Sequence, residues 1–317
     1  MTAGATVITV TRNIVRAGRE AMLEQCLHSV HEQSVSPVEH LVIDGASEDG
    51  TRVILEKYRQ KGWIRYVSEP DSGLYHAMNK GLALASGAYV AFLNSDDFYH
   101  DPTWLERCLS ELRRTGADCC SAPVLSLCPA GRATVGHVPN WPAMFEKMSV
   151  NHQSLLMRTS VMRALGGFSQ RFPVQADYEL LLRFLLCGWR YTALSFPGCT
   201  FRNYGMAAQK TWPEIITERL RIQVHVLGRF GASYHDCVDI CDLGHVPGWL
   251  FRRLEQQIYL AHRPEFEEWH RYTELRALRR WLWTSSSRPE EEVFRLCGMK
   301  FIDRRFPGKD RSDMGQG

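Results

Sequence analysis

The sequence predicts an α/β protein whose mainly parallel sheet carries helices on both faces. Three observations lead there. Short apolar, strand-like runs recur through the first hundred residues, at "ATVITVT", "HLVID", "IRYVS" and "AYVAFL". Between them lie stretches with apolar residues at helical spacing. The runs are apolar throughout rather than alternating, as strands covered on both faces require.

The elements follow in order. "ATVITVT" is the first strand, and "REAMLEQCLHSVHEQ" follows as a helix with Met22, Leu23, Cys26, Leu27 and Val30 on one face. "EHLVID" is a strand ending at Asp44, and "SEDGTRVILEKYRQKG" opens with capping residues and continues as a helix. "IRYVSE" is the third strand, "GLYHAMNKGLALA" the third helix and "AYVAFL" the fourth strand. Beyond these, "PTWLERCLSELRRTG" reads as a helix, "ADCCSAPVLSL" as a strand pair or a strand with its turn, and "RATVGHVPNW" as loop and edge strand. "ADYELLLRFLLCGWR" is a buried helix. After about Arg202 strand signals fade into amphipathic helices, and "DRRFPGKDRSDMGQG" reads as a mobile tail. The division expected is 1–210 for a sheet domain and 211–317 for a helical region.

At 317 residues the chain is long enough for a substantial core, and 44% hydrophobic with 23% charged residues is ordinary for a globular protein. A formal net charge of +3 gives no reason to expect nucleic acid as a partner. No apolar run approaches a membrane span, and the start lacks a signal-type core, so a cytoplasmic location is expected. Ten cysteines are scattered, with Cys26, Cys108 and Cys187 at apolar positions expected to be buried. His235, Cys237, Cys241 and His245 could share a helical face as a zinc site. They lack a CxxC pair, and Gly244 should end that helix, so the cluster is a weak metal candidate.

In open sheets, ligands bind beyond the carboxyl ends of the strands. Asp44, Glu69-Pro70-Asp71 and Asn94-Ser95-Asp96-Asp97 all stand at such ends, and their convergence argues against simple turn residues. Carboxylates beside a nucleoside diphosphate require a divalent cation between them, and Mg²⁺ or Mn²⁺ takes oxygen ligands from one or two carboxylates plus phosphate and water. Asn94 can add an amide oxygen but no charge, which softens such a site. Asp177 stands at the start of "DYELLLRF", where it is either a helix cap or a general base that takes a proton from an acceptor hydroxyl.

The set "VITVTRN", "HLVIDGASEDGT", "SEPDSGLYHAMNKGLALASGAYVAFLNSDD" and "ADYELLLRF" resembles the family 2 glycosyltransferases with a GT-A fold, over about residues 5 to 205. The likeness is to the branch that builds bacterial exopolysaccharides, capsules and lipopolysaccharides. It implies a Rossmann-like sheet and an inverting transfer of a sugar from a nucleotide-sugar, most simply a UDP-sugar, to a glycan or polyprenyl-linked glycan, as in hexosyl- or N-acetylhexosaminyltransferases. It also implies residues. Thr9, Thr11 and Asn13 match the loop that holds base and ribose, and Asp44 the residue that binds uracil or ribose. Ser47, Asp49 and Gly50 match the turn that follows. Asp71, Gly73 and Asn79 match the element lying against the nucleotide-sugar. Asn94-Ser95-Asp96 matches the metal motif with Asn at its first position, making Asp96 the metal ligand and Asp97 a sugar or metal-shell residue. Asp177 matches the catalytic base, with Ala176 where Glu is usual.

Three features stay open at this level. His152 either touches donor phosphate or metal, or is an ordinary hydrogen-bonded histidine. Arg202 either pairs with phosphate or is a solvated surface arginine. Arg252, Arg253, Arg271, Arg276, Arg279 and Arg280, with Trp249, Trp269, Trp281 and Trp283, suit either contact with anionic lipid or a helical subdomain packed on the core. Two rival functions remain: a nucleotide-sugar binding protein that has lost catalysis, and a sugar nucleotidyltransferase. "VTRNIVRAGRE" does not supply the Gly-rich loop that the second would need.

Overall fold

The computed structural model describes residues 4–36, 38–128, 130–203, 210–285, 294–296 and 299–301. In chain order the elements are β1 (Ala5–Thr11), α1 (Glu20–His31), β2 (Val38–Asp44), α2 (Thr51–Gln60), β3 (Arg65–Ser68), α3 (Leu74–Leu84), β4 (Tyr89–Phe92) and β5 (Phe98–Tyr99). Then come α4 (Trp104–Thr115), β6 (Cys119–Ser121), β7 (Val124–Leu127), β8 (Ala133–Val135), β9 (Leu155–Arg158), α5 (Thr159–Ala164), α6 (Ala176–Leu186), β10 (Tyr191–Ala193) and β11 (Cys199–Arg202). The helices α7 (Trp212–Leu227), α8 (Tyr234–Leu243), α9 (Gly248–Glu255) and α10 (Arg263–Ser285) follow, with a terminal hairpin β12 (Phe294–Leu296) and β13 (Met299–Phe301).

The large sheet runs β10-β6-β9-β4-β1-β2-β3, and β4, β1, β2 and β3 are mutually parallel. β9 runs antiparallel to both β4 and β6, which makes the sheet mixed at one side. Strand alternation divides the core. Ile8, Leu41, Ile43 and Phe92 face α3, α5 and α6, whereas Val7, Ala91 and Leu93 face α1 and α4. Burying each such aliphatic side chain contributes about 1.5–3 kcal/mol. α3 lies so close to β1 that a Cβ on Gly81 would stand 2.5 Å from Ile8 Cγ2, a contact only glycine avoids.

The expected pair "ADCCSAPVLSL" divides between two sheets, with β6 in the large one and β7 in a smaller one ordered β5-β11-β7-β8. β8 is the edge strand of that smaller sheet, as expected. Gly244 ends α8 in the left-handed conformation (φ 63°), again as expected. Cys26 and Cys108 are buried, but Cys187 is exposed because it follows the last turn of α6 instead of continuing its apolar face.

Two polar clips tie the helices flanking the site to one loop. Asn79 on α3 exchanges two hydrogen bonds of 2.8 Å with the main chain of Phe168. Arg183 on α6 donates to the carbonyls of Leu165 and Gly167, the latter at 2.8 Å. In the C-terminal region Trp269 is buried and packs with Phe266 against Phe145, and Arg276 pairs with Glu146 at 2.9 Å. For Trp269 and Arg276 the packed-subdomain alternative therefore holds. The side chains of Arg279, Arg280, Trp281 and Trp283, and the expected tail, lie outside the described residues. Among the described residues no helix is long and apolar enough to cross a membrane.

Candidate active site

Parallel register brings the acidic strand ends together. Thr11 pairs with Asp44, and Asp44 with Ser68, along one edge of the sheet, and β4 reaches the same edge just before Asn94. Asp44 is fully buried. Its Oδ1 accepts from Thr11 Oγ1 (3.1 Å) and Ser47 Oγ (2.5 Å), and its Oδ2 from the Ser47 amide (2.9 Å) and Ser68 Oγ (2.6 Å). Four donors use the lone pairs a carboxylate offers. Asp44 thus organises three strand ends, and contact with a base would require one of those donors to give way.

Asn13, in the left-handed region at φ 49°, joins the first two loops: its amide donates to Ser47 Oγ (2.8 Å), and its side-chain oxygen accepts from the Glu48 amide (3.0 Å). Thr9 is wholly buried below the strand end, with its hydroxyl 3.0 Å from His40 Nε2 and 3.7 Å from Cys26 Sγ, and so presents no surface to a nucleotide. Asp71 accepts from the Gly73 amide at 2.9 Å, and Gly73, at φ 132°, precedes the first turn of α3. Asn79 uses both ends of its amide on Phe168, so it holds a loop whatever else it touches.

The acidic loop after β4 joins the two sheets, because β5 begins at Phe98. Asp97 is completely buried; it accepts from the Arg202 amide at 2.7 Å and from Asn94 Nδ2 at 3.3 Å. Burial first, and then the neighbouring Asp96 charge, push its carboxyl well above the ordinary carboxylate range. Complete burial removes Asp97 from direct contact with a sugar, leaving the metal-shell alternative, and its bond to the Arg202 amide fastens the loop after β4 to β11. Asp96 retains some surface. Burial raises its carboxyl, opposed in part by its own amide and by Arg19 and Arg202, and Arg19 Nη1 stands 3.4 Å from Oδ2.

Arg202 is not the solvated residue of one alternative. It is 9% exposed, donates to the Asp96 carbonyl, reaches Gln25 Oε1 at 2.5 Å and lies over the Phe98 ring. It holds the acidic loop in shape. Asn94 Oδ1 is buried with no hydrogen-bond partner in the described structure. An orphaned amide oxygen on the same short loop as a desolvated carboxylate suits a hard, oxygen-seeking divalent cation. Asp96 and Asn94 are the residues that would hold it.

On the other side, Asp177 is the second residue of α6 rather than its cap, since Gln175 occupies the cap position. Its Oδ2 lies 2.8 Å from His152 Nδ1, and its Oδ1 accepts from the Tyr178 amide (2.9 Å) and from Tyr75 Oη (3.3 Å). Burial drives the Tyr75 phenol far up, so it remains a proton donor. His152 engages Asp177 through Nδ1, while its Nε2 is buried with no hydrogen-bond partner in the described structure and is the atom left for the phosphate or metal alternative. The two residues line a cavity of about 20 Å³ with Val90 and Phe92, which places them beside the end of β4 two residues before Asn94. Ala176 supplies no carboxylate, but Glu218 on α7 accepts from the Val174 (2.9 Å) and Gln175 (2.7 Å) amides and fixes the approach to α6. Nothing in the sequence marks Glu218, because an acid inside an amphipathic helix looks like any solvated one.

The family model described as "Glycosyl transferase family 2" matches residues 6–164. The chain belongs to that family. Among curated relatives, this family 2 member is 32% identical over 171 residues to an uncharacterised glycosyltransferase of Mycobacterium tuberculosis, covering 51% of this chain and 63% of the relative. It is 25% identical over 164 residues to the chondroitin synthase of Escherichia coli, covering 50% of this chain and 24% of that enzyme. The chain thus spans less than two-thirds of the length of the relatives it matches. Solved structures share its GT-A fold. One is S. aureus TarS 1-349 in complex with UDP, with a TM-score of 0.54, 18% identity, and coverage of 96% of this chain and 98% of that one. Another is the mannosyltransferase PcManGT of Pyrobaculum calidifontis in complex with GDP-Man and Mn²⁺, with a TM-score of 0.53, 16% identity, and coverage of 91% and 77%.

Proposed function

We propose that this family 2 member is an inverting glycosyltransferase that moves one sugar from a nucleotide-sugar, most simply a UDP-sugar, to a hydroxyl of a glycan or lipid-linked glycan. The observation that carries this reading is the placement of Asp177. Tyr75, which binds it, stands on α3 just after the Asp71-Gly73 element, and the cavity it lines reaches β4 just before the acidic loop. A candidate base therefore stands at the edge where the donor's leaving group is expected.

His152, Tyr75 and the Tyr178 amide orient the Asp177 carboxylate. That carboxylate takes the proton from the acceptor hydroxyl as its oxygen bonds to the anomeric carbon. The bond from that carbon to the diphosphate breaks on the opposite side, which inverts the configuration, and the nucleoside diphosphate departs with the bonding electrons. Mg²⁺ or Mn²⁺ held by Asp96 and Asn94 would stabilise charge on that leaving group. Asp97 and Arg202 keep the loop in register. Acceptor chemistry follows the relatives only as a class, since one of them is a chondroitin synthase.

The test is calorimetric binding of UDP and GDP, each with and without Mn²⁺, followed by turnover of the matching nucleotide-sugars. One neighbour binds UDP and another GDP-Man, so both nucleotides belong in the comparison. Metal-dependent binding of one diphosphate together with turnover supports the reading. Metal-dependent binding without turnover of any donor supports the non-catalytic rival, and pyrophosphate release from a nucleoside triphosphate the nucleotidyltransferase.

A further inference from the structure

The structure regroups the weak zinc cluster around one of its members. His245 lies just beyond the end of α8, and His270 and Glu274 stand one turn apart on α10, within 4.8 Å of it and of each other by their ligand-capable atoms. His235, Cys237 and Cys241 are not in that group. We propose that His245, His270 and Glu274 form a zinc site that clamps the loop after α8 onto α10.

Three features support this beyond proximity. His270 Nε2 lies 2.7 Å from the Val246 carbonyl, an acceptor only, so Nε2 carries the proton and Nδ1 presents a lone pair. A metal-binding imidazole commonly donates its other ring N–H to a carbonyl in this way. His270 Nδ1 faces Glu274 Oε1 at 3.9 Å, and Phe251 stacks on the ring at 4.0 Å and fixes its plane. His245 Nδ1 is buried without a hydrogen-bond partner in the described structure.

Two imidazoles and a carboxylate, with water as fourth ligand, favour zinc over Mg²⁺ or Mn²⁺. Tetrahedral bonds require ligand atoms roughly 3.4 Å apart. The half-exposed Glu274 side chain has room to close the remaining gap. The nearby Arg276 cation is already engaged by Glu146 (2.9 Å) and the Gly244 carbonyl (2.7 Å). The site would lock α10 where Phe266 and Trp269 pack on Phe145.

The experiment uses the full chain carrying Asp96→Asn, so that the acidic loop does not compete, stripped with EDTA and titrated calorimetrically with ZnCl₂. One equivalent should bind and raise Tm, and cobalt(II) should give tetrahedral d–d bands. Glu274→Gln and His245→Ala should each weaken zinc by about tenfold or more. Because Glu274 is half exposed, Glu274→Gln is expected to fold, which circular dichroism checks. No saturable zinc binding, or zinc binding unchanged in both variants, overturns the site.

Discussion

Two carboxylate sites carry the proposed transfer, and they are built oppositely. Asp96 and Asp97 crowd together in a buried loop, with Arg19 and Arg202 close by and burial raising both carboxyls. Asp177 is held by a phenol, an imidazole and an amide. The first arrangement concentrates negative charge and leaves an amide oxygen orphaned, as a cation site does. The second aims one carboxylate with donors that need no net charge, as a group that accepts a proton requires. The two acidic motifs look alike in sequence, but their surroundings assign them different chemistry.

The sharpest way to break this contrast is Asp177→Asn. It should lower transfer by about 10²–10⁴-fold while UDP binding by calorimetry stays unchanged. Full transfer would move the base elsewhere. Asp96→Asn should do the reverse, weakening metal-dependent diphosphate binding by about tenfold or more; equal binding with and without Mn²⁺ in both variant and parent would remove the cation from the site. Asp97→Ala should cost about 1–3 kcal/mol in denaturant unfolding, because it orphans the Arg202 amide. Asp97→Asn should cost less, since it keeps an acceptor there and removes a charge that burial disfavours.

A finer test concerns His152 as a positioning residue. His152→Ala should lower kcat by about tenfold with KM for the donor unchanged, yet add little in an Asp177→Asn background. An equal loss in both backgrounds would separate the two residues. A further effect, confined to acid pH, lies away from the site. Burial lowers His40 from 6.5 to about 3, so the fold keeps it neutral while the unfolded chain protonates below 6.5. Its contribution is therefore full above 6.5 and falls by about 1.4 kcal/mol per pH unit as pH drops from there toward 3. Urea midpoints should show that slope, and His40→Gln should flatten it.

The sheet and its acidic edge were legible because strand runs and the residues that end them are local features. Burial and pairing across the chain were not. Asp97 meets Arg202 105 residues away, and His152 meets Asp177 across 25. No periodicity announces such contacts. Thr9 shares a strand face with Thr11 but lies two residues deeper and is wholly buried, and alternation says nothing of that depth. The polar Asn151-His152-Gln153 stretch ahead of the apolar β9 was the one local hint that a histidine had work beyond packing.

The loop from Leu165 to Phe168, gripped by Asn79 from α3 and by Arg183 from α6, acts as a buckle. It fastens the helix that follows Asp71 to the helix that carries Asp177. The proposed donor and acceptor sides consequently share one mechanical reference, a strap of four residues whose last, Phe168, lines the Asp177 cavity. Loosening the buckle would blur both sides at once, raising donor KM and lowering kcat in step.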